Sequence, residues 1–204
     1  MKKIILLLVF LATTISATAQ QFYIEGGKTL SSINYKNSKG IGLNNLQTTT
    51  HSYMGMGYRD QLFQTDLNFS VGLNYSGYGA IGSDDILGNF MEWEANYVGL
   101  NVAVDYQILK SRKTEFYLKG GLSSAFFVQG TQTLNDNVMN LDNNSDFDSL
   151  LITLQAGAGF SYPISRELSF YVQYMYGQSL DIASGDAKLK FISDNVGFGL
   201  LIDI

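Results

Sequence analysis

The chain has 204 residues, 18 acidic against 13 basic, no cysteine and a single proline. That balance excludes a nucleic-acid binder and a basic membrane-surface helix, and the missing cysteine excludes disulfides and thiol-linked lipid anchors. Its 21 glycines stand beside 13 tyrosines and 13 phenylalanines, a combination suited to close backbone packing next to amphipathic rings.

In chain order, Lys2 and Lys3 precede an apolar run from Ile4 to Ala12 and the small residues Ala17-Thr18-Ala19. This three-part pattern predicts a secretory signal peptide over residues 1–19, leaving a single domain over 20–204. The apolar run is shorter than the ~20 residues a spanning helix needs. Without Lys2 and Lys3 the 13 cationic residues fall to 11 against 18 acidic ones, about −7.

Residues 22–33 form the first predicted strand. Lys28 falls on the same parity as Phe22, Ile24 and Leu30, which would set a lysine among lipid-facing side chains at a cost of roughly 2–4 kcal/mol. Either Gly26-Gly27 carries a bulge that re-aims it, or Lys28 lies near a rim. Residues 34–50 read as a polar loop, 51–58 as a short strand with Met54, Met56 and Tyr58 on one face, and Arg59-Asp60-Gln61 as a tight turn. Residues 65–76 are the clearest segment. Leu67, Phe69, Val71, Leu73 and Tyr75 alternate with Asn68, Ser70, Gly72, Asn74 and Ser76, and a strand sends those two sets to opposite faces.

Residues 77–89 read as a loop, and 92–108 as a strand with Val98, Leu100, Val102, Val104 and Tyr106 against Gly99, Asn101, Ala103, Asp105 and Gln107. After a turn over 109–114, strand 115–129 sets Phe116, Leu118, Leu122 and Phe126 opposite Lys119, Gly121, Ser123 and Ala125. Residues 130–149 read as the longest loop. Strands 150–162 and 168–177 flank a turn at 163–167, a loop follows over 179–187, and the last strand alternates Val196, Phe198, Leu200, Ile202 and Ile204 with Gly197, Gly199, Leu201 and Asp203.

About eight strands are thus joined alternately by long loops and short turns. One face of each is apolar; the other is small and polar. The fold class predicted is all-β: an eight-stranded antiparallel transmembrane up-and-down barrel with lipid outside and a packed polar lumen, in the cell outer membrane. A soluble periplasmic or secreted barrel with an apolar ligand inside is the alternative, and it requires the opposite sidedness.

Inward charges are predicted at Glu25, Asp66, Asp105, Lys119 and Asp203, with Lys119 facing one or more of Glu25, Asp66 and Asp105, because an isolated buried charge is costly. Tyr75, Tyr78, Trp93, Tyr97, Tyr174 and Tyr176 are expected at the membrane interface. His51-Ser52 could serve a rim lipase or protease only with a partner that the spacing does not reveal. Asp142, Asn144 and Asp146 match the start of a calcium loop, but Phe147 stands where glycine is required and Thr153 where the glutamate belongs. No catalytic residue, cofactor or metal is predicted.

The glycine-rich start FYIEGGKTLS, the turns YRDQLF and YPISREL, and the end GFGLLIDI resemble the small outer-membrane β-barrel domain family of Gram-negative bacteria, PorT-like and broadly OmpX/OmpA-like. The likeness spans the mature chain. It implies a non-enzymatic envelope protein inserted by the barrel-assembly machinery. Its partners would be outer-membrane lipid and an extracellular or secretion-system protein, with no nucleic acid.

Overall fold

The structure, a computed structural model, describes residues 21–36, 46–62, 65–84, 89–111, 114–141, 150–180 and 188–204. The predicted signal peptide and the calcium-like segment over 142–147 therefore lie outside the described residues. Within them nine strands run in order: β1 Gln21–Lys36, β2 Leu46–Gln61, β3 Leu67–Asp84, β4 Asn89–Ser111, β5 Thr114–Leu134, β6 Asn137–Asn140, β7 Leu151–Pro163, β8 Leu168–Ser179 and β9 Lys188–Asp203. Every neighbouring pair is antiparallel. β1 pairs with β9 from Gln21↔Asp203 to Lys36↔Lys188, and β4 pairs with β5, so the eight long strands close into a barrel. β6 is an addition. It folds back on the far end of β5 through a two-residue turn in which Asn135 and Asp136 both have positive φ, as a tight hairpin requires.

The strands alternate as their sequences demand. Val98, Leu100, Val102, Val104, Tyr106 and Ile108 of β4 all face outward and exposed, while Gly99, Ala103, Asp105 and Gln107 turn inward. The same outward row recurs as Met54, Met56 and Tyr58 on β2, and as Val196, Phe198 and Ile202 on β9. Ten steps from Val98 to Ile108 cover about 34 Å along a strand and, at a tilt of ~40°, about 25 Å of height, which matches the hydrocarbon belt of a membrane barrel. A water-soluble surface rarely exposes more than a few hundred Å² of contiguous apolar patch. The soluble alternative is therefore set aside for the belt. Among the described residues no helix is long and apolar enough to cross a membrane; the strands do the crossing.

Above the belt the polarity reverses, at the level where the pairing register shifts between β2 and β3 and between β4 and β5. On β3 the outward positions after Tyr75 are taken by Gly77 and Gly79, and apolar side chains appear inward as Tyr78 and Ala80. On β4, Glu92 and Glu94 share the outward parity of Val98 while Ala95 and Tyr97 point in, and on β9 Leu189 and Phe191 are buried. With Ile33, Ala125, Leu141 and Leu151 these side chains make one apolar cluster, with Trp93 and Phe127 packed against it. Tyr78 lies 5.1 Å from Phe191 and 5.9 Å from Tyr97 between ring centroids. The expectation of loops over 34–50, 77–89 and 130–149 is corrected accordingly: β1 runs to Lys36, β2 starts at Leu46, β3 reaches Asp84, β4 starts at Asn89, and β5 continues into the β6 hairpin. These segments read as polar because their outer faces meet water, yet their inner faces still build a core.

Two further findings concern the backbone, and the first decides between the two readings of Lys28. β1 keeps an unbroken register with both neighbours at Gly26-Gly27, so no bulge lies there; Lys28 is exposed at the upper rim, and its Nζ donates to Ser52 Oγ at 3.0 Å. A register shift occurs instead on β2, between Thr48 and Tyr53. There Ser31 Oγ of β1 reaches β3, accepting from the Gly79 N–H at 2.7 Å and donating to its C=O at 2.9 Å.

Candidate functional site

The lumen is filled in layers. Large rings lie across glycines of facing strands: a Cβ at Gly197 would overlap the Tyr53 ring, and one at Gly159 the Tyr117 ring. Eight strands leave an interior only as wide as its side chains. The gap lined by Tyr23, Arg59, Asp105, Tyr117 and Lys119 has about 10 Å³, and the one beside Glu25, Asn74, Asn101 and Gln155 about 30 Å³, room for a water or two. Neither is a channel.

The lowest layer is built on an ion pair. Arg59 Nη2 donates to Asp105 Oδ2 at 2.5 Å and Nε to Oδ1 at 3.2 Å, the two-pronged geometry that suits a guanidinium to a carboxylate. Asn68 Nδ2 donates to the same Oδ2 at 3.0 Å, Arg59 Nη1 donates to Gln21 Oε1 at 2.9 Å, and the guanidinium lies 5.8 Å over the Tyr117 ring. Both partners of the pair are buried. The next layer centres on Glu25. Its Oε2 accepts from Tyr171 OH at 2.6 Å and from Gln173 Nε2 at 2.8 Å; Lys119 Nζ donates to Gln173 Oε1 at 3.3 Å and lies 5.9 Å from the Tyr23 ring centre. Higher still, Thr29 Oγ1 donates to Asn195 Oδ1 at 2.6 Å.

Of the predicted inward charges, the structure brings Glu25, Asp105 and Lys119 into the lumen but distributes them differently. Lys119 reaches Glu25 through Gln173 rather than directly, and Asp105 is taken by Arg59. Asp66 is exposed in the turn before β3, where its carbonyl accepts from the Gln107 N–H, so it joins no interior network. Asp203 sits at the barrel mouth and accepts from Gln21 Nε2 at 2.8 Å. Arg59 was missed because RDQ reads as a turn; continuing the inward parity of Tyr53, Gly55 and Gly57 by one more step would have found it.

The aromatic prediction divides. Tyr75, Tyr174 and Tyr176 face outward near the top of the belt, and Tyr174 OH donates to Asp194 Oδ1. Tyr58, Tyr106 and Tyr162 are exposed near its lower edge. Tyr78, Tyr97 and Trp93 are not interface residues: Tyr78 and Tyr97 are buried in the apolar cluster and Trp93 packs on it, since they sit above the polarity reversal. His51 lies on the irregular stretch of β2, over two glycines; added Cβ atoms at Gly77 and Gly79 would come within 2.9 Å of its Cβ and 2.7 Å of its Nε2. Its Nε2 is 2.7 Å from Thr49 Oγ1, while Ser52 is occupied by Lys28. Among the described residues no group of three His, Cys, Asp or Glu side chains could hold a metal.

At the end carrying the short turns the barrel opens into a polar vestibule of about 400 Å³, lined by Gln21, Arg59, Gln61, Asn68, Gln107, Glu115, Asp203 and Ile204. No curated protein matches the chain in sequence. Solved structures share its shape: Neisserial surface protein A at 14% identity and TM-score 0.50, covering 90% of this chain and 97% of that one, and the outer membrane protease OmpT from Escherichia coli at 7% identity and TM-score 0.53, covering 91% and 97%. OprG from Pseudomonas aeruginosa aligns at 13% identity and TM-score 0.46, covering 92% and 98%. At such identities the likeness is one of fold. The family model described as outer membrane protein beta-barrel domain matches residues 18–179. With an apolar belt outside, a packed polar lumen within and that match over most of its length, this chain belongs to the outer membrane protein beta-barrel domain family and resides in the outer membrane.

Proposed function

We propose that the protein is a non-enzymatic, non-conducting barrel that carries its extension above the lipid as a surface for contacts outside the cell. The observation that supports this most is the extension itself. β3, β4 and the β5–β6 hairpin rise past the belt on a core of their own, and they expose Phe90, Val138 and Met139. A barrel needed only as a lipid anchor has no use for that core. The partner is an extracellular protein; outer-membrane lipid surrounds the belt, the assembly machinery inserts it, and nucleic acid has no part. An accessory role in secretion or assembly, which the PorT-like resemblance implies, is the second reading, and the open vestibule favours it.

The test is site-specific photocrosslinking in living cells from position 138 and from position 166 in the turn between β7 and β8. A partner captured from 138 supports the surface role. Capture from 166 alone transfers the function to the periplasmic end. In planar bilayers the purified barrel is expected to give no discrete conductance steps; steady unitary currents would overturn the sealed lumen.

A further inference from the structure

His51 is the chain's only histidine, and it lies where β2 parts from β3. Thr48 pairs with Ala80 and Tyr53 with Ser76, so β2 carries one residue more than β3 across that stretch and the ladder between them is broken. β1 takes over part of the missing ladder, because Ser31 Oγ bonds both the N–H and the C=O of Gly79. The upper end of β2 is then held on β3 by its pairing from Leu46↔Gly82 to Thr48↔Ala80 and, below that, by the His51 side chain. The imidazole lies over Gly77 and Gly79, where a Cβ would come within 2.9 Å of His51 Cβ and 2.7 Å of its Nε2. Two glycines at outward positions thus make the seat for one ring. His51 pairs with Thr29, one step above the rim residue Lys28, and so lies outside the belt.

From this geometry we infer that His51 is a pH-sensitive latch between β2 and β3: as a neutral ring it clamps residues 46–52 over Gly77 and Gly79, and as a cation it releases them. The seat suits the neutral form. Nε2 is 2.7 Å from Thr49 Oγ1, and burial of the ring holds its pKa below the ordinary histidine value. Glu94 and Glu92 on β4 pull the other way, and Lys28 on β1 adds to the lowering; among the described residues β2 and β3 bring no charged group to it. A histidine whose pKa is lowered by closure stabilises the closed form fully above the pKa of the solvated ring, 6.5, and loses that contribution as pH falls through the closed form's own pKa. Acid therefore favours the lifted strand. Release uncovers the outward side of β3 at Gly77 and Gly79, while Ser31 keeps β1 joined to β3. The inference goes beyond the surface role and stands whether or not the extension has a partner.

The experiment uses the full barrel, made without a histidine tag, in detergent micelles at about pH 7.5 and about pH 5, a span that crosses the ordinary histidine range but stays above that of most carboxylates. NMR of the sole histidine is expected to give a titration midpoint below that of a free imidazole. Amide hydrogen exchange, read as protection factors, is expected to show residues 46–52 losing protection several-fold on acidification while residues 98–106 in the belt keep theirs. His51→Gln retains a polar side chain without a titrating charge and should make the protection of 46–52 the same at both pH values. Glu94→Gln removes a carboxylate that favours the charged ring, so the histidine midpoint and the loss of protection should move to lower pH together. The inference is overturned if the histidine titrates at or above the free value, or if 46–52 keep their protection in acid. It is equally overturned if His51→Gln loses protection with acid as the unaltered chain does, or if Glu94→Gln moves the midpoint and leaves the loss where it was.

Discussion

Gly197 and Tyr53 show how one side chain's absence makes room for another. The three atoms nearest to a Cβ at 197 all belong to the Tyr53 side chain. Gly197→Ala is therefore expected to destabilise the barrel by about 1–3 kcal/mol in urea titrations in micelles, the usual cost of overpacking. Tyr53→Leu in the same chain should recover most of that loss; a double variant no better than the single would mean that the strain lies in the backbone. The Arg59–Asp105 pair behaves differently. Removing one member leaves a buried charge, so Arg59→Met is expected to cost about 3–5 kcal/mol, and adding Asp105→Leu should restore most of it. At this scale the sequence was legible wherever alternation alone decides direction, as for Glu25, Asp105 and Lys119. Which partner each charge takes was not, because Arg59 on β2 and Asp105 on β4 are brought together by the register each strand takes on β3 between them, which alternation does not reveal.

Along an element, depth decides what a substitution costs. Leu100 is at mid-belt on β4 and Glu94 is on the same outward row, above the reversal. Leu100→Arg is expected to cost about 2–4 kcal/mol and Glu94→Arg about 0–1, measured by refolding into lipid vesicles. Equal costs would remove the distinction between belt and extension. The belt portions of the strands could be read from sequence because outward residues there are apolar with few exceptions, such as Ser124 beside Leu100. The extensions could not, since a strand with glutamates outside and Tyr97 or Phe191 inside has the composition of a loop until its inner face is known to be covered. The β5–β6 hairpin was hidden for the same reason, and its turn, Asn135-Asp136, lacks the glycine that usually announces one.

For the whole molecule, solvent changes along the barrel axis while the sheet stays closed and antiparallel. Where the surroundings are hydrocarbon, the apolar side of each strand faces out; where they are water, the apolar side turns in, and the polar lumen gives way to the cluster around Tyr78, Tyr97 and Phe191. One closed sheet thus combines a membrane barrel with a short soluble one, and the boundary runs past Tyr75 on β3, Val98 on β4 and Val196 on β9. The chain has no native cysteine, so single cysteines can be placed and spin-labelled without background. The most direct test is collision accessibility of nitroxides at 92, 94, 98, 100, 102 and 104 in vesicles, read with oxygen and with a water-soluble nickel complex. Oxygen should dominate at 98 through 104 and the nickel complex at 92 and 94; nickel dominance at 100 and 102 would contradict the account.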